Sequence, residues 1–519
     1  MTRDIVIGLD AGTSVIKAVA FDLTGKQLAS AGVRNQYTTA PDGSALQDMN
    51  LTWDLASQVM RELSQKVPDL SKRARTMGVT AQGDGTWLID ADGQPVAPAM
   101  LWLDSRATRE CRSIVQGAFH NRIYASTATG VNVCQMRTQL GWLRENAPET
   151  LNAAASALHC KEWLYYCLTG QAVADVSEAV LNFGDIATRN YSDEVISALG
   201  LEDLRHLLPP IVDGSKTAFP LSAKAAAQTG LPEGLPVCLG YMDIVTSTIA
   251  AGLCDPVVQP GLTILGSTGV HTRHAASAKD VTLNDDNTGY TVALAGEAFG
   301  QLQTNMAAAI NIDWIAGIAR EVLASSGVER ATADILSGFD ALVLRARPGA
   351  TMYHPYIVSA GERGPFLEPD ARASFTGLDQ TVGWAEMVRG VYEGLALAAR
   401  DCYSAMGPIP QEIRVAGGAS RSVALLNILA SVLDRPVRTV SQPETGAAGA
   451  AMIAAVQAGV FTTLEKATEV WVTPLLQEAV QPDSDLSATY ETLFPTFQHS
   501  RRALLPLWQR QAQTKEKLK

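Results

Sequence analysis

An α/β protein made of two similar halves is what this sequence predicts, and three observations carry the prediction. Short β-branched runs alternate with helical stretches along the chain. A strand, a small hydroxylated turn and a second strand occur near residue 10 and recur near residue 267. The 519 residues, 47% of them hydrophobic and 18% charged, suffice for two large domains that each bury a core.

The elements follow in order. Ile5 to Asp10 reads as a buried strand ending in an acid, Ala11-Gly12-Thr13-Ser14 as a turn, and Val15 to Asp22 as a second strand. Leu23-Thr24-Gly25-Lys26 then turns the chain into Gln27 to Val33. The glycine turn therefore joins two strands. P-loop and dinucleotide fingerprints place their glycines between a strand and a helix, so neither applies. Leu235 to Tyr241 is an apolar strand, and Ile244 to Ala251 looks helical. The punctuated stretch Ala251 to Pro256 marks a border, with a hinge expected at Ala250-Ala251-Gly252. Pro260 to Leu265, Gly266-Ser267-Thr268-Gly269 and Val270 to Arg273 then repeat the opening design. Val415-Ala416-Gly417-Gly418 leads into a helix from Val423 to Leu433, and Gly446 to Val460 reads as a packed interior helix. The expected domains are 1–252 and 253–475, followed by 476–519 as an amphipathic helix with a frayed charged tail.

Composition excludes several classes. There are 41 basic against 53 acidic side chains, a net charge of −12, which leaves no basic footprint for nucleic acid or anionic lipid. The 42 Gly and 24 Pro are not concentrated in any tract, which argues against disorder. Seven scattered cysteines, never spaced C-x-x-C, fit free thiols in a reducing compartment. No window reaches the ~18 apolar residues of a membrane helix, and Met1-Thr2-Arg3-Asp4 runs straight into a strand. A soluble, cytoplasmic protein is expected.

Three turns, the first led by Asp10, are the candidates for chemistry. Asp10, at a strand end before Gly12, Thr13 and Ser14, suits water-mediated Mg²⁺ binding while amides and hydroxyls meet phosphate oxygens. Lys17 adds a positive charge, and the plainer reading is an Asx-type hairpin turn. Gly266, Ser267 and Thr268 repeat the logic, so the two turns would form opposed phosphate clamps, one on each domain. Gly417 and Gly418, ahead of Ser422 and a helix N-terminus, allow a flat ring or phosphate close to the backbone; the plainer reading is an ordinary strand–helix connection. His271-x-x-His274 lacks further ligands at zinc-like spacing and is read as solvent-facing or satisfied, with the other five histidines isolated.

Together these runs resemble the FGGY carbohydrate kinases, the family of glycerol kinase, xylulokinase, ribulokinase and erythritol kinase. The resemblance rests on collinear Leu9–Ser14, Ala81–Asp84, Leu101–Arg106, Lys161–Leu164 with Leu168–Gly170, Gly240–Asp243, Leu265–Gly269, Ala416–Ser422 and Glu444–Ala451. It implies two actin-like domains of the hexokinase and ribonuclease H type, with ATP and a small sugar or polyol meeting in the cleft between them. By that resemblance the N-terminal domain carries the polyol site, the first phosphate turn and the catalytic Asp, and the C-terminal domain binds nucleotide.

The resemblance also assigns residues. Asp243 falls where the family keeps its general base, and it joins Asp10 as a metal residue; a helix N-cap is the structural alternative for it. Gln82, Asp84, Asp104, Cys134 and Gln135 fall at substrate-contacting segments, although Asp104 with Arg106 could equally be an ion pair bracing a turn. Two departures matter. Ile244 replaces an amide that many members carry, and Gly83 replaces the arginine of glycerol kinase, with no ketose-kinase histidine nearby. So few fixed donors suit a flexible acyclic polyol, and Thr80–Trp87 resembles the erythritol kinase branch. The expectation is Mg²⁺- and ATP-dependent phosphorylation of a terminal hydroxyl, erythritol to erythritol 4-phosphate, with polyol-driven domain closure. L-xylulose, xylulose, ribulose or glycerol are the alternative substrates, and a non-catalytic nucleotide-gated sugar sensor is the alternative class. A homodimer is among the expectations for partners.

Overall fold

Two six-stranded sheets carry the chain in the computed structural model, which describes residues 3–442 and 444–518. In the first sheet β1 (Ile5–Ala11), β2 (Val15–Asp22) and β3 (Gln27–Arg34) form an antiparallel meander. β4 (Ala74–Ala81) pairs parallel with the other edge of β1, and β5 (Phe219–Pro220) and β6 (Pro236–Leu239) complete the order β5-β6-β4-β1-β2-β3. The second sheet holds β7 (Gly261–Leu265), β8 (Gly269–Ala275), β9 (Tyr290–Ala293), β10 (Phe299–Asn305), β11 (Ile413–Ala416) and β12 (Val437–Thr439). Its order is β9-β10-β8-β7-β11-β12. Here too the central strand, β7, pairs antiparallel with its hairpin partner and parallel with a strand reached by a long crossover. This is the internal repeat that the two turns foretold. β1 is apolar along its length because helices cover both faces of its sheet, and each turn leaves the carboxyl end of a central strand.

The helices that position the site are α1 (Cys160–Thr169), α2 (Val176–Phe183), α3 (Asp243–Ala250), α4 (Trp384–Ser404), α5 (Val423–Leu433), α6 (Thr445–Gln457), α7 (Leu464–Trp471) and α8 (Ser484–Lys517). Helix α6, expected in the second domain, lies on the first sheet. A Cβ at Gly8 of β1 would overlap the Ala447 carbonyl, and one at Gly78 of β4 the Ala450 carbonyl. Helix α7 follows it there and stacks Trp471 on Phe21 with ring centroids 5.3 Å apart. The expected border near residue 252 thus divides the strands but not the cores, since α6 and α7 share a buried apolar cluster with Val6, Val19 and Phe21. Gly78→Val should destabilise the protein at or above the upper end of the ~1–3 kcal/mol typical of overpacking, because the obstacle is backbone. A urea melt like wild type would show that α6 can lift away freely.

Ala250 and Ala251 are buried, and Arg414 of β11 donates to the Gly252 carbonyl (2.9 Å) and pairs with Asp255 (2.5 Å). The C-terminal end of the expected hinge is thus tied to the second sheet. The C-terminal segment forms the expected amphipathic helix: α8 buries Tyr490, Phe494 and Phe497 in the second core and seats Trp508 on Tyr356 and Phe366. Beyond Trp508 the described residues are mostly exposed. All seven cysteines are free thiols, and among the described residues no helix is long and apolar enough to cross a membrane.

Candidate active site

Asp10 ends β1 beside the N-terminus of α6. Gly446 lets them meet, since a Cβ there would overlap the Asp10 carboxylate. Lys17, opposite Asp10 in the β1–β2 register, pairs with Glu444 at 2.8 Å. Burial pushes the Asp10 carboxyl up to about 6, with Lys17 opposing and Glu444 adding to the rise. Its Oδ1 is buried without a hydrogen-bond partner.

Asp243 opens α3, and its Oδ1 accepts the Ile244 N–H at 2.7 Å. It lies in the first helical turn, with Met242 at the cap position. Burial pushes its carboxyl up to about 7, and the charges of Asp10 and Glu178 push the same way. Two raised carboxyls, Asp10 close enough to add to the rise of Asp243 and carrying an orphaned oxygen, fit a divalent cation such as Mg²⁺, whose charge would hold both ionised.

Asp84 sits in a left-handed turn, φ +54°, after β4. Its N–H donates to Glu178 Oε1 at 2.6 Å. Its Oδ2 accepts from Tyr290 Oη at 3.0 Å and from Cys134 Sγ at 3.4 Å, while Oδ1 is buried and unpartnered. Burial raises this carboxyl despite those two donors. Gln82 joins the loop to the first turn, accepting from Thr13 Oγ1 at 2.7 Å and donating to Gln47 at 2.9 Å. Trp102 Nε1 donates to the same Thr13 hydroxyl at 2.8 Å.

Beneath Asp84 and Asp243 lies a buried ionic cluster. Lys161 on α1 reaches Glu178 on α2, Asp175 at 2.6 Å and Glu162 at 3.7 Å, all four without exposed side-chain surface. His159 Nδ1 stands 3.1 Å from Glu162. Burial would raise Glu162, but Lys161 and His159 override it and pull the carboxyl down to about 2. Burial would likewise lower His159, and Glu178 and Glu162 override it upward. His159 is thus not the isolated histidine expected. His159, Glu162 and Glu178 offer donor atoms within 4.8 Å of one another, a metal-like grouping, yet the Lys161 ammonium already supplies their positive charge. Lys161→Met should therefore cost about 3–5 kcal/mol by stranding buried carboxylates. A denaturation midpoint unchanged from wild type would mean that the cluster is neutral without its lysine.

Several expected site residues are spent on structure. Asp104 is fully buried; it receives Arg106 through both oxygens, the shortest contact being 2.7 Å, and the Ala45 N–H at 3.0 Å, so it braces a turn and presents no oxygen to a substrate. Gln135 uses its amide on Asn132, Arg137 and Gly130, holding the loop of Cys134. Ser422 caps α5 by accepting from Leu425 at 3.1 Å and donates to Asp340 at 2.5 Å, so its hydroxyl is also engaged. Gly417 needs its φ of +94° beside the Leu265 carbonyl, whereas Gly418 faces open space. Ser14, Ser267 and Thr268 are exposed at their turns, with Gly12 and Gly266 partly so. His271 is buried between Thr263 and Asn305, each at 3.1 Å; it is satisfied and not solvent-facing.

The structure brings Asp10 near Lys17 and Asp243, joins Gln82 to the first turn through Thr13, and sets Asp84 against Cys134, with Glu178 touching the Asp84 backbone and its charge acting on Asp243. Sequence reasoning missed Glu178, Asp175, His159 and Tyr290. His159, Lys161 and Glu162 in the otherwise apolar and aromatic run Leu158–Leu168 were the available signal for the ionic cluster. Tyr290 had none.

Comparison with known proteins adds an independent line. Residues 5–250 match the model of the FGGY family of carbohydrate kinases, N-terminal domain, and residues 263–458 that of its C-terminal domain. The chain is 46% identical over 513 residues to an erythritol kinase from Brucella abortus (strain 2308), covering 99% of this chain and 98% of that protein. It is 25% identical over 511 residues to a xylulose kinase from Escherichia coli (strain K12), covering 96% and 99%. Among solved structures, a gluconate kinase from Lactobacillus acidophilus superposes with a TM-score of 0.88 at 22% identity, over 98% of this chain and 99% of that one. A xylulose kinase from Rhodospirillum rubrum gives 0.87 at 26% identity, over 97% and 100%. The two-domain actin-like, ribonuclease H-like architecture implied by the motif order is the one these structures share.

Proposed function

The chain belongs to the FGGY family of carbohydrate kinases, and on that premise we propose that it moves the γ-phosphoryl group of ATP onto a terminal hydroxyl of a small acyclic polyol, converting erythritol to erythritol 4-phosphate. The observation that carries the reading is the buried Asp243 at the start of α3 together with Asp84, whose Oδ1 is buried without a partner; Glu178 holds the Asp84 N–H and its charge acts on Asp243. Asp84 Oδ1 accepts a hydroxyl of the polyol. Asp243 takes the proton from the terminal hydroxyl as its oxygen attacks the γ-phosphorus, and the bond to the β,γ-bridging oxygen breaks to release ADP. An ionised carboxylate beside the attacking hydroxyl can accept that proton. Asp10 and Asp243 would hold Mg²⁺, which when bound offsets the charge of the triphosphate. The backbone amides of the turns at Gly12–Ser14, Gly266–Thr268 and Gly417–Gly418 suit the phosphates.

Ile244 beside the base supports a substrate with few fixed contacts, and the 46% identity to an erythritol kinase supports erythritol itself. ADP release with Mg-ATP and erythritol, glycerol, xylulose, L-xylulose or ribulose decides the matter. Erythritol should give the highest kcat/KM, with ³¹P–¹H correlation placing phosphate on a terminal carbon. Another leading substrate would overturn the assignment, and turnover of none would favour the nucleotide-gated sensor.

Gly266→Val tests the second phosphate turn. The nearest atom to a Cβ there is the Thr268 carbonyl oxygen at 3.8 Å, so the fold has room for the side chain. KM for ATP should rise by about tenfold or more, because the branched chain stands where phosphate approaches, while the polyol KM stays put. An unchanged ATP KM removes this turn from the nucleotide site.

A further inference from the structure

We infer that Tyr290 is a positioning residue of the polyol site, contributed by the second half of the molecule to the acceptor carboxylate of the first. The inference rests on the reading of Asp84 as the polyol acceptor. Tyr290 begins β9 in the second sheet, and Asp84 follows β4 in the first, 206 residues earlier. Across that separation the phenol donates to Asp84 Oδ2 at 3.0 Å. Cys134 adds a weaker thiol donor to the same oxygen at 3.4 Å and lies 4.0 Å from the phenol oxygen. The Asp84 N–H is meanwhile held by Glu178, and the positive charge of Arg363 lies close enough to influence Asp84, Cys134 and Tyr290.

Two donors on Oδ2 fix the rotation of the carboxylate. Oδ1 is left buried, unpartnered and set in one direction, so an incoming hydroxyl meets an acceptor that needs no reorganisation. The fixing donor comes from the opposite half. The orientation of the acceptor therefore depends on a contact between the halves, and a change in that contact changes how well the carboxylate is placed for the polyol. This differs from a mere brace, since a brace would affect ATP and polyol alike.

Tyr290→Phe removes the donor and keeps the ring. With the carbohydrate that wild type phosphorylates best, its KM should rise roughly tenfold, the loss of one hydrogen bond to a charged group, with kcat within about threefold and the ATP KM unchanged. In the double variant Asp84→Asn/Tyr290→Phe, polyol affinity should equal that of Asp84→Asn alone, because the phenol acts through that carboxylate. Calorimetric polyol binding supplies the same comparison if the Asp84 variants turn over too slowly. An unchanged polyol KM in Tyr290→Phe, losses that multiply in the double variant, or a parallel rise in ATP KM with a lowered melting temperature would each overturn the inference. Wild type that phosphorylates none of the carbohydrates would overturn the proposed function and this inference with it.

Discussion

Asp243→Asn should lower kcat by about 10²–10⁴-fold while ATP and polyol still bind. Asparagine keeps the size of the side chain and can still accept the Ile244 N–H, so α3 keeps its first turn. What it loses is the ability to take a proton. The same substitution should stabilise the metal-free protein. Burial and the charges of Asp10 and Glu178 push the Asp243 carboxyl from its ordinary 3.8 up to about 7. A carboxyl raised in this way contributes stability that is fully present below about pH 4 and is lost as pH rises through about 7. Wild type therefore bears the cost of ionising Asp243 at pH 8, and Asp243→Asn does not. In EDTA the melting temperature of the variant should exceed that of wild type at pH 8, with the gap growing between about pH 4 and 7 and level above. Loss of activity together with gained alkaline stability distinguishes a functional carboxylate from a structural one. Near-normal turnover would remove Asp243 from the catalytic role, and a variant less stable at pH 8 would mean that the carboxylate is held by partners other than those seen.

What local pattern can encode was legible in the sequence. The strands expected at Ile5–Asp10, Val15–Asp22 and Gln27–Val33 end within one residue of those observed, because apolar β-branched runs and turn chemistry are short-range properties. The ion pair of Asp104 with Arg106 was legible as an alternative for the same reason, its partners being two residues apart. The turns near residues 10 and 267 revealed the repeat because each half re-uses one hairpin. Long-range pairing left no such trace. Tyr290 meets Asp84 only because two sheets face one cleft, and Arg414 clamps Gly252 only because β11 lies beside β7. Helix α6 reads as buried from its small residues, but nothing in that composition says that it lies on the sheet of the other half. The ionic cluster showed a charge pattern without a partner list, since Lys161 on α1 finds Asp175 and Glu178 through helix packing.

Asp10→Asn should reduce kcat/KM by about 10²-fold or more at fixed Mg²⁺ and shift the Mg²⁺ dependence of the rate to higher concentration. Asparagine is nearly isosteric, so Gly446 and α6 can keep their approach to β1, which makes the loss one of charge. The two acids are coupled, and that coupling supplies a second reading of the same variant. Asp10 is the largest charged contributor to the raised carboxyl of Asp243 after burial itself. Removing its charge should bring the Asp243 pKa down, so the pH window over which Asp243 costs stability should narrow from its upper end. In metal-free protein the stability gained by Asp243→Asn over wild type should therefore exceed the gain it brings in an Asp10→Asn background, most clearly near pH 8. Neither substitution alters Lys17 or Glu444, the other charged groups beside Asp10. A rate that keeps the wild-type Mg²⁺ dependence would take Asp10 out of the metal site. Strictly additive stabilities would separate the two carboxylates, and with them the shared cation that their juxtaposition fits.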